Sequence, residues 1–169
     1  MQIFIDDSAI QQKIDEAADK LANTAPLMQS ISLSLLDTTE ENFNAEGRPK
    51  WAGLNPEYAS RKKGNAILQL SGQLAASITP YHGPKFAGVG TNKVYAAIHH
   101  FGGQTSPHVI KPKNKQALAF GGGVFKQVQH PGSRIPSRPF MPMDKQGNIQ
   151  AEAYEDILEI TDLYLKKAF

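Results

Sequence analysis

The chain has 169 residues, 40% of them apolar, a size that suits one domain, or one domain with an appended arm, built on a single core. Cysteine is absent, which excludes disulfide scaffolds, thiolate zinc sites and cysteine nucleophiles; no run of about 18 apolar residues and no basic-then-apolar leader occur, so a soluble protein made in the cytoplasm, with no membrane partner, is expected. The net charge of +2 conceals a separation: residues 1–50 carry nine acids and four bases (−5), residues 51–140 eleven bases and Glu57 alone (+10), residues 141–169 six acids and three bases (−3).

Met1-Gln-Ile-Phe-Ile5 alternates apolar side chains and is expected to add a short strand before Asp6-Asp7-Ser8, a helix cap. Ile10, Ile14, Ala17, Ala18 and Leu21 then recur at helical spacing, predicting an amphipathic helix over 8–22. Pro26 suits a first helical turn, and Leu27, Ile31, Leu35 and Thr38 lead toward Phe43, predicting a second helix over 26–43 despite its Ser and Thr content. Glu46-Gly-Arg-Pro49 breaks the pattern. Asn55-Pro56-Glu57 reads as a cap for a short helix to Lys63, and Ser71 as a cap for another from Gly72 to Ile78.

Residues 80–140 are rich in Gly, Pro and Lys with short apolar runs, which suits strands at 86–90 and 109–113. Ala117 to Phe120 and Val124 to Gln129 flank Gly121-Gly-Gly123 and predict a hairpin. A long final helix is expected over 148–167, with Ile149, Ala153, Ile157, Ile160 and Tyr164 on one face. Helices bracketing a β middle make an α+β fold: a small antiparallel sheet with a long hairpin arm, flanked by N-terminal helices and a long C-terminal helix. One domain over 1–169 is expected, with a helical part at 1–50 and the arm at 104–133.

No catalytic, metal or cofactor residue is expected. His99 and His100 are adjacent and cannot form the i, i+4 pair of a helical zinc site. His82, His108 and His130 lie beside Gly or Pro with no carboxylate near in sequence to orient an imidazole. Gly88-Val-Gly90-Thr-Asn92 lacks the Gly-Lys-Ser/Thr ending of a phosphate loop.

Two stretches carry more. In His130-Pro131-Gly132 the proline presets a turn and the glycine takes its left-handed position. Pro136 and Pro139 then force Ile135 and Arg138 toward extended shape, so Arg134 to Phe140 is expected to be a stiff edge strip offering Arg134, Arg138 and Phe140 to a neighbour; the alternative is an ordinary loop entering the last helix. Tyr95-Ala-Ala-Ile-His-His-Phe-Gly-Gly103 is the other.

Taken with Ile67-Leu-Gln-Leu-Ser-Gly-Gln-Leu-Ala-Ala-Ser-Ile78 and Val89-Gly-Thr-Asn92, these stretches follow one another in the order seen in the phage virion morphogenesis family of Mu-like tail completion proteins, which residues 51–169 resemble. The run from Ala117-Leu-Ala-Phe120 through His130-Pro-Gly132 to Arg138-Pro-Phe140 is also similar to head-tail joining proteins of tailed phages. The resemblance implies a non-enzymatic virion protein of the neck or tail end, forming a homo-oligomeric ring, a hexamer being one candidate count, with other neck, connector or tail proteins as partners.

On that reading Tyr95, His99, Phe101, Gly102, Gly103, Arg134, Pro136, Arg138, Pro139 and Phe140 form the interface with another copy or partner. Three meanings of the charge separation stay open: acidic helices of one copy meeting the basic middle of the next, acids collecting on exposed helices, or non-specific contact with DNA through Lys111, Lys113, Lys115 and Lys126.

Overall fold

The computed structural model describes residues 8–62, 64 and 66–167; the expected strand at Met1–Ile5 lies outside them. The order is α1 (Ser8–Ala22), α2 (Ala25–Asn44), α3 (Pro56–Arg61), a 3-10 turn (Ala75–Ser77), β1 (Thr79–Gly83), β2 (Phe86–Gly90), α4 (Ala96–Phe101), β3 (Gly103–Gln104), β4 (His108–Ile110), β5 (Leu118–Phe120), β6 (Gly123–Phe125), β7 (Val128–His130), β8 (Arg134–Ile135) and α5 (Ala151–Lys166). The fold is α+β, and its β part consists of antiparallel pairs: β1 with β2, β3 with β8, β4 with β7, β5 with β6.

Helix α2 is the spine, packing against the β1–β2 hairpin and α5. Its buried face carries Leu27, Ile31 and Phe43 together with Ser32, Thr38 and Thr39. The hydroxyls bond back to helix carbonyls, Thr38 to Ser34 at 3.0 Å and Thr39 to Leu35 at 2.8 Å, so polar side chains are buried without orphaned donors. Asn55 caps α3 by accepting from the Glu57 and Tyr58 N–H groups, as its position before Pro56 predicts. The core lies where the end of α2 meets the middle of the chain: Phe43, Trp51, Ile67, Leu74, Ile78, Ala96 and Phe140 form one buried cluster.

Three expectations need correction. Helix α1 forms over the predicted span, but Ile14 and Leu21 of its stripe are exposed and only Ala17 is buried among the side chains described. Helix α5 starts at Ala151 rather than 148, because Asp144 to Gln150 are held in a loop: the Asp144 N–H donates to the Asn148 carbonyl (2.9 Å), the Gln150 N–H to the Pro142 carbonyl (3.0 Å), and Gly147 has φ 89°. Ile149 is therefore exposed and outside the helical face, while Ala153, Ile157, Ile160 and Tyr164 line it inward. The helix expected at Gly72–Ile78 shortens to the single 3-10 turn.

From Gly103 to Ile135 the chain runs out and back through three nested ladders, with Gln104 opposite Arg134, His108 opposite His130 and Phe120 opposite Gly123. The reversal is a two-residue turn, Gly121 at φ 56° and Gly122 at φ 79°, both in the region glycine reaches without strain. The result is an arm. None of its described residues belongs to the buried core.

Candidate assembly surface

The two stretches singled out in the sequence are bonded to each other. Helix α4 is six residues long, and its last carbonyls lack intrahelical donors. The strip supplies them: the Arg138 N–H donates to the His99 carbonyl (2.9 Å) and Ser137 Oγ to the His100 carbonyl (2.8 Å). Gly102 ends the helix at φ 72°, and a Cβ there would lie 2.7 Å from the Ser137 nitrogen, so only glycine lets the strip approach this closely. Gly103 then pairs with Ile135.

His100 sits at the centre of this junction. Its Nδ1 accepts from the Phe140 N–H (3.2 Å) and, more weakly, from the Met141 N–H (3.4 Å), which places the ring proton on Nε2, the donor to the Met143 carbonyl at 2.9 Å. The ring stands edge-on to Phe140, centroids 5.0 Å apart. Burial lowers the His100 pKa from its ordinary value of 6.5, partly opposed by the bond to Met143, and His99 is lowered by burial and by the Arg138 charge beside it. An unfolded chain takes up protons on these rings below about pH 6.5 that the folded chain resists. Stability is therefore full above pH 6.5 and declines as pH falls through and below it; urea midpoints should drop between pH 8 and pH 5.5, and a His100→Gln variant should show a flatter profile. Equal slopes for the two proteins would contradict this placement of the proton.

Two residues expected to face a neighbour do not. Phe140 is 0% exposed, stacked on Phe43 at a centroid distance of 5.2 Å, and its carbonyl accepts from Asn42 Nδ2 (3.2 Å). Arg138 is 7% exposed; Nε donates to the Ala52 carbonyl (3.0 Å) and Nη2 to the Gly53 carbonyl (3.1 Å). Pro139 is exposed, but its carbonyl accepts from Trp51 Nε1 (2.8 Å). The strip is pinned through alternate groups, so Arg138 and Phe140 hold it down while Arg134 and Pro136 remain on the outside.

That outer side borders a groove of about 750 Å³, into which the structure brings Tyr95, His99, Arg134, Pro136 and Arg138. Phe101, Gly102, Gly103, Pro139 and Phe140 do not line it. The opposite wall was not legible as a site: Leu54, Tyr58, Lys62 and Leu70, with Leu70 66% exposed. Leu68, also in this wall, has φ 60°, an unusual conformation for a branched side chain, and the turn there separates buried Ile67 from exposed Leu70. No carboxylate lines the groove among the described residues. Nothing in this arrangement resembles a nucleophile with its base, and no group of three or more His, Cys, Asp or Glu side chains that could hold a metal occurs among the described residues.

The comparisons with known proteins place the chain among phage morphogenesis proteins. The model of the phage virion morphogenesis family matches residues 5–166. The chain belongs to that family. It is 31% identical over 157 residues to the Mu-like prophage FluMu G protein 2 of Haemophilus influenzae, covering 93% of this chain and 92% of that one. It is 28% identical over 156 residues to the putative capsid assembly protein G of Escherichia phage Mu, covering 87% and 86%. No solved structure matches. The family match spans the arm, the α4 junction and the strip alike. Among the described residues no helix is long and apolar enough to cross a membrane.

Proposed function

We propose that this family member is a tail completion or neck protein that assembles as a ring of copies at the end of the phage tail, completing it or joining it to the head, with other neck, connector or tail proteins as partners. The observation that carries the reading is the arm. It orders about thirty residues at a conformational cost of roughly 1–2 kcal/mol each while burying none of its described side chains in the core. Val109, Ile110, Val124 and Phe125 are exposed on it, Val124 at 74%. Apolar side chains held outward on an ordered hairpin suit a surface that another protein covers.

The test shortens the arm without disturbing its base. Thr105 and Ser133 face each other, with the Thr105 N–H donating to the Ser133 carbonyl (2.9 Å) and the Ser133 N–H to Thr105 Oγ1 (2.7 Å), so residues 106–132 can be replaced by Asn-Gly, a two-residue hairpin turn. The variant should fold with a melting temperature within a few degrees of the parent and fail to complement a phage lacking the protein, lowering titre about 100-fold or more. Normal titres would contradict the reading.

One observation favours a second reading, non-specific contact with DNA. Lys111, Lys113, Lys115 and Lys126 are all exposed on the arm, and no acidic residue occurs from Gln104 to Ser133. Four neutralised phosphates give a log–log salt slope of about −3.6 on duplex DNA. Filter binding should retain duplex at low salt and lose it at moderate salt, with the four-lysine-to-alanine variant retaining none; parent protein that retains no duplex at low salt would dispose of this reading.

A further inference from the structure

We infer that the groove between α3, α4 and the strip is the seat for the outward face of helix α5 from a second copy of this chain. The inference rests on the ring reading above and names the contact that would build it.

Helix α5 carries two apolar faces. One packs against α2, through Ala153 and the half-buried Ile157, Ile160 and Tyr164. The other, Tyr154, Leu158 and Leu165, is spaced four and seven residues apart, hence on one side of the helix, and all three are exposed, Leu158 at 51%. Beside that stripe lie the exposed Glu155 and Glu159, and the helix as a whole has five acids against Lys166, a balance of −4.

The groove is the complement. Its wall offers Leu70 and Tyr58 as exposed apolar surface, and its outward charges are Lys62 and Arg134, with Arg138 buried behind them and no carboxylate among the described lining. Size agrees as well. A helix about 10 Å across, seated to half its depth over the roughly 16 Å from Tyr154 to Leu165, displaces roughly 600 Å³. The groove holds about 750 Å³.

Charge decides among the occupants that this chain could supply. The arm exposes apolar residues too, but its Lys111, Lys113, Lys115 and Lys126 would be repelled by Lys62 and Arg134. Helix α1 has exposed Ile14 and Leu21 but balances three acids with two lysines, only −1. Within its own copy α5 is held on α2, and Tyr164 donates to the Asn23 carbonyl (2.9 Å), so the groove it fits belongs to another copy. Groove on one side and helix on the other form a heterologous contact, the kind that closes into a ring when its rotation permits.

The cysteine-free chain allows a clean test. Leu70→Cys and Leu158→Cys both alter exposed side chains, so folding should be preserved. Under mild oxidation the double variant should form a ladder of disulfide-linked multimers, an equimolar mixture of the two single variants should give mainly the mixed dimer, and each single variant alone should stay largely monomeric on denaturing gels. Separately, Arg134→Glu should weaken self-association at least 10-fold in sedimentation, and Glu159→Lys in the same chain should restore it. A double variant that gives no ladder where light scattering shows multimers would overturn the groove contact while leaving the ring reading intact. A chain that stays monomeric and uncross-linked overturns the contact also, and the ring reading is then decided by the protein's position in the particle.

Discussion

Replacing Phe140 with alanine should cost about 3–5 kcal/mol, the range for removing a large aromatic side chain from a packed interior. Phe140 is the only side chain of the strip that enters the core, and it does so at the centre, stacked on Phe43 and meeting the His100 ring edge-on. Its backbone is held from both ends, the N–H by His100 Nδ1 and the carbonyl by Asn42 Nδ2. Removal of the ring therefore loosens Asn42 as well, which also donates to Gln150 Oε1 (2.9 Å) and accepts from Arg48 Nε (3.1 Å). Since domains of this size are stable by about 5–15 kcal/mol, urea denaturation should show most of the margin gone, with Phe140→Leu losing markedly less. A loss under 1 kcal/mol for the alanine variant would mean that the strip is not anchored as described.

Arg138→Ala should follow at about 1.5–3 kcal/mol, the range for hydrogen bonds from a charged donor, because the Ala52 and Gly53 carbonyls lose their guanidinium partner together. The guanidinium fork spans the Ala52 and Gly53 carbonyls, tying the segment that leads into α3 to the strip across the floor of the groove. A lysine presents one ammonium where the fork has two separated nitrogens, so Arg138→Lys should recover only part of the loss. Any defect in infectivity then arrives through folding of the groove rather than through a lost contact with a partner. Denaturation of the three proteins checks the order parent, lysine, alanine; an alanine variant as stable as the parent would contradict the tether.

The helices were readable because their periodicity is local. Thr24-Ala-Pro26 marks the start of α2, Asn55-Pro56 the start of α3, and three glycines the end of the arm, each a short-range backbone preference. Helix α4 was not readable: six residues give no periodic signal, and its last turn is completed by donors some forty positions later in the strip. Strand β1, with Pro80 and Gly83 in it, exists because β2 pairs with it over five residues, from Thr79 opposite Gly90 to Gly83 opposite Phe86. The prolines of the strip agree with the short strand at Arg134–Ile135 but did not indicate which side chains turn inward. That choice is made by Trp51, His100 and Asn42, which bond to the Pro139 carbonyl, the Phe140 N–H and the Phe140 carbonyl from far away in sequence. Half of the groove was visible as Tyr95, His99, Arg134, Pro136 and Arg138; the other half carried only a weak sign, the apolar Leu68 and Leu70 beside Arg61-Lys62.

Charge separation also gains a location. The acids of residues 141–169 lie mainly on α5, and of the bases of the middle Lys62, Arg134 and Arg138 line the groove while Lys111, Lys113, Lys115 and Lys126 lie on the arm. If complementary fields orient one copy on the next, self-association should weaken as salt rises toward and past about 0.15 M, where the screening length falls to about 8 Å.

The most direct measurement is electron cryomicroscopy of finished particles and of isolated tails, with a tag inserted at the Gly121-Gly122 turn to mark the arm. A closed ring of this protein at the tail end facing the head, its arms directed at a neighbouring component, is the predicted result. Particles that are complete and infectious yet lack the protein would make it a transient assembly factor and would contradict the account.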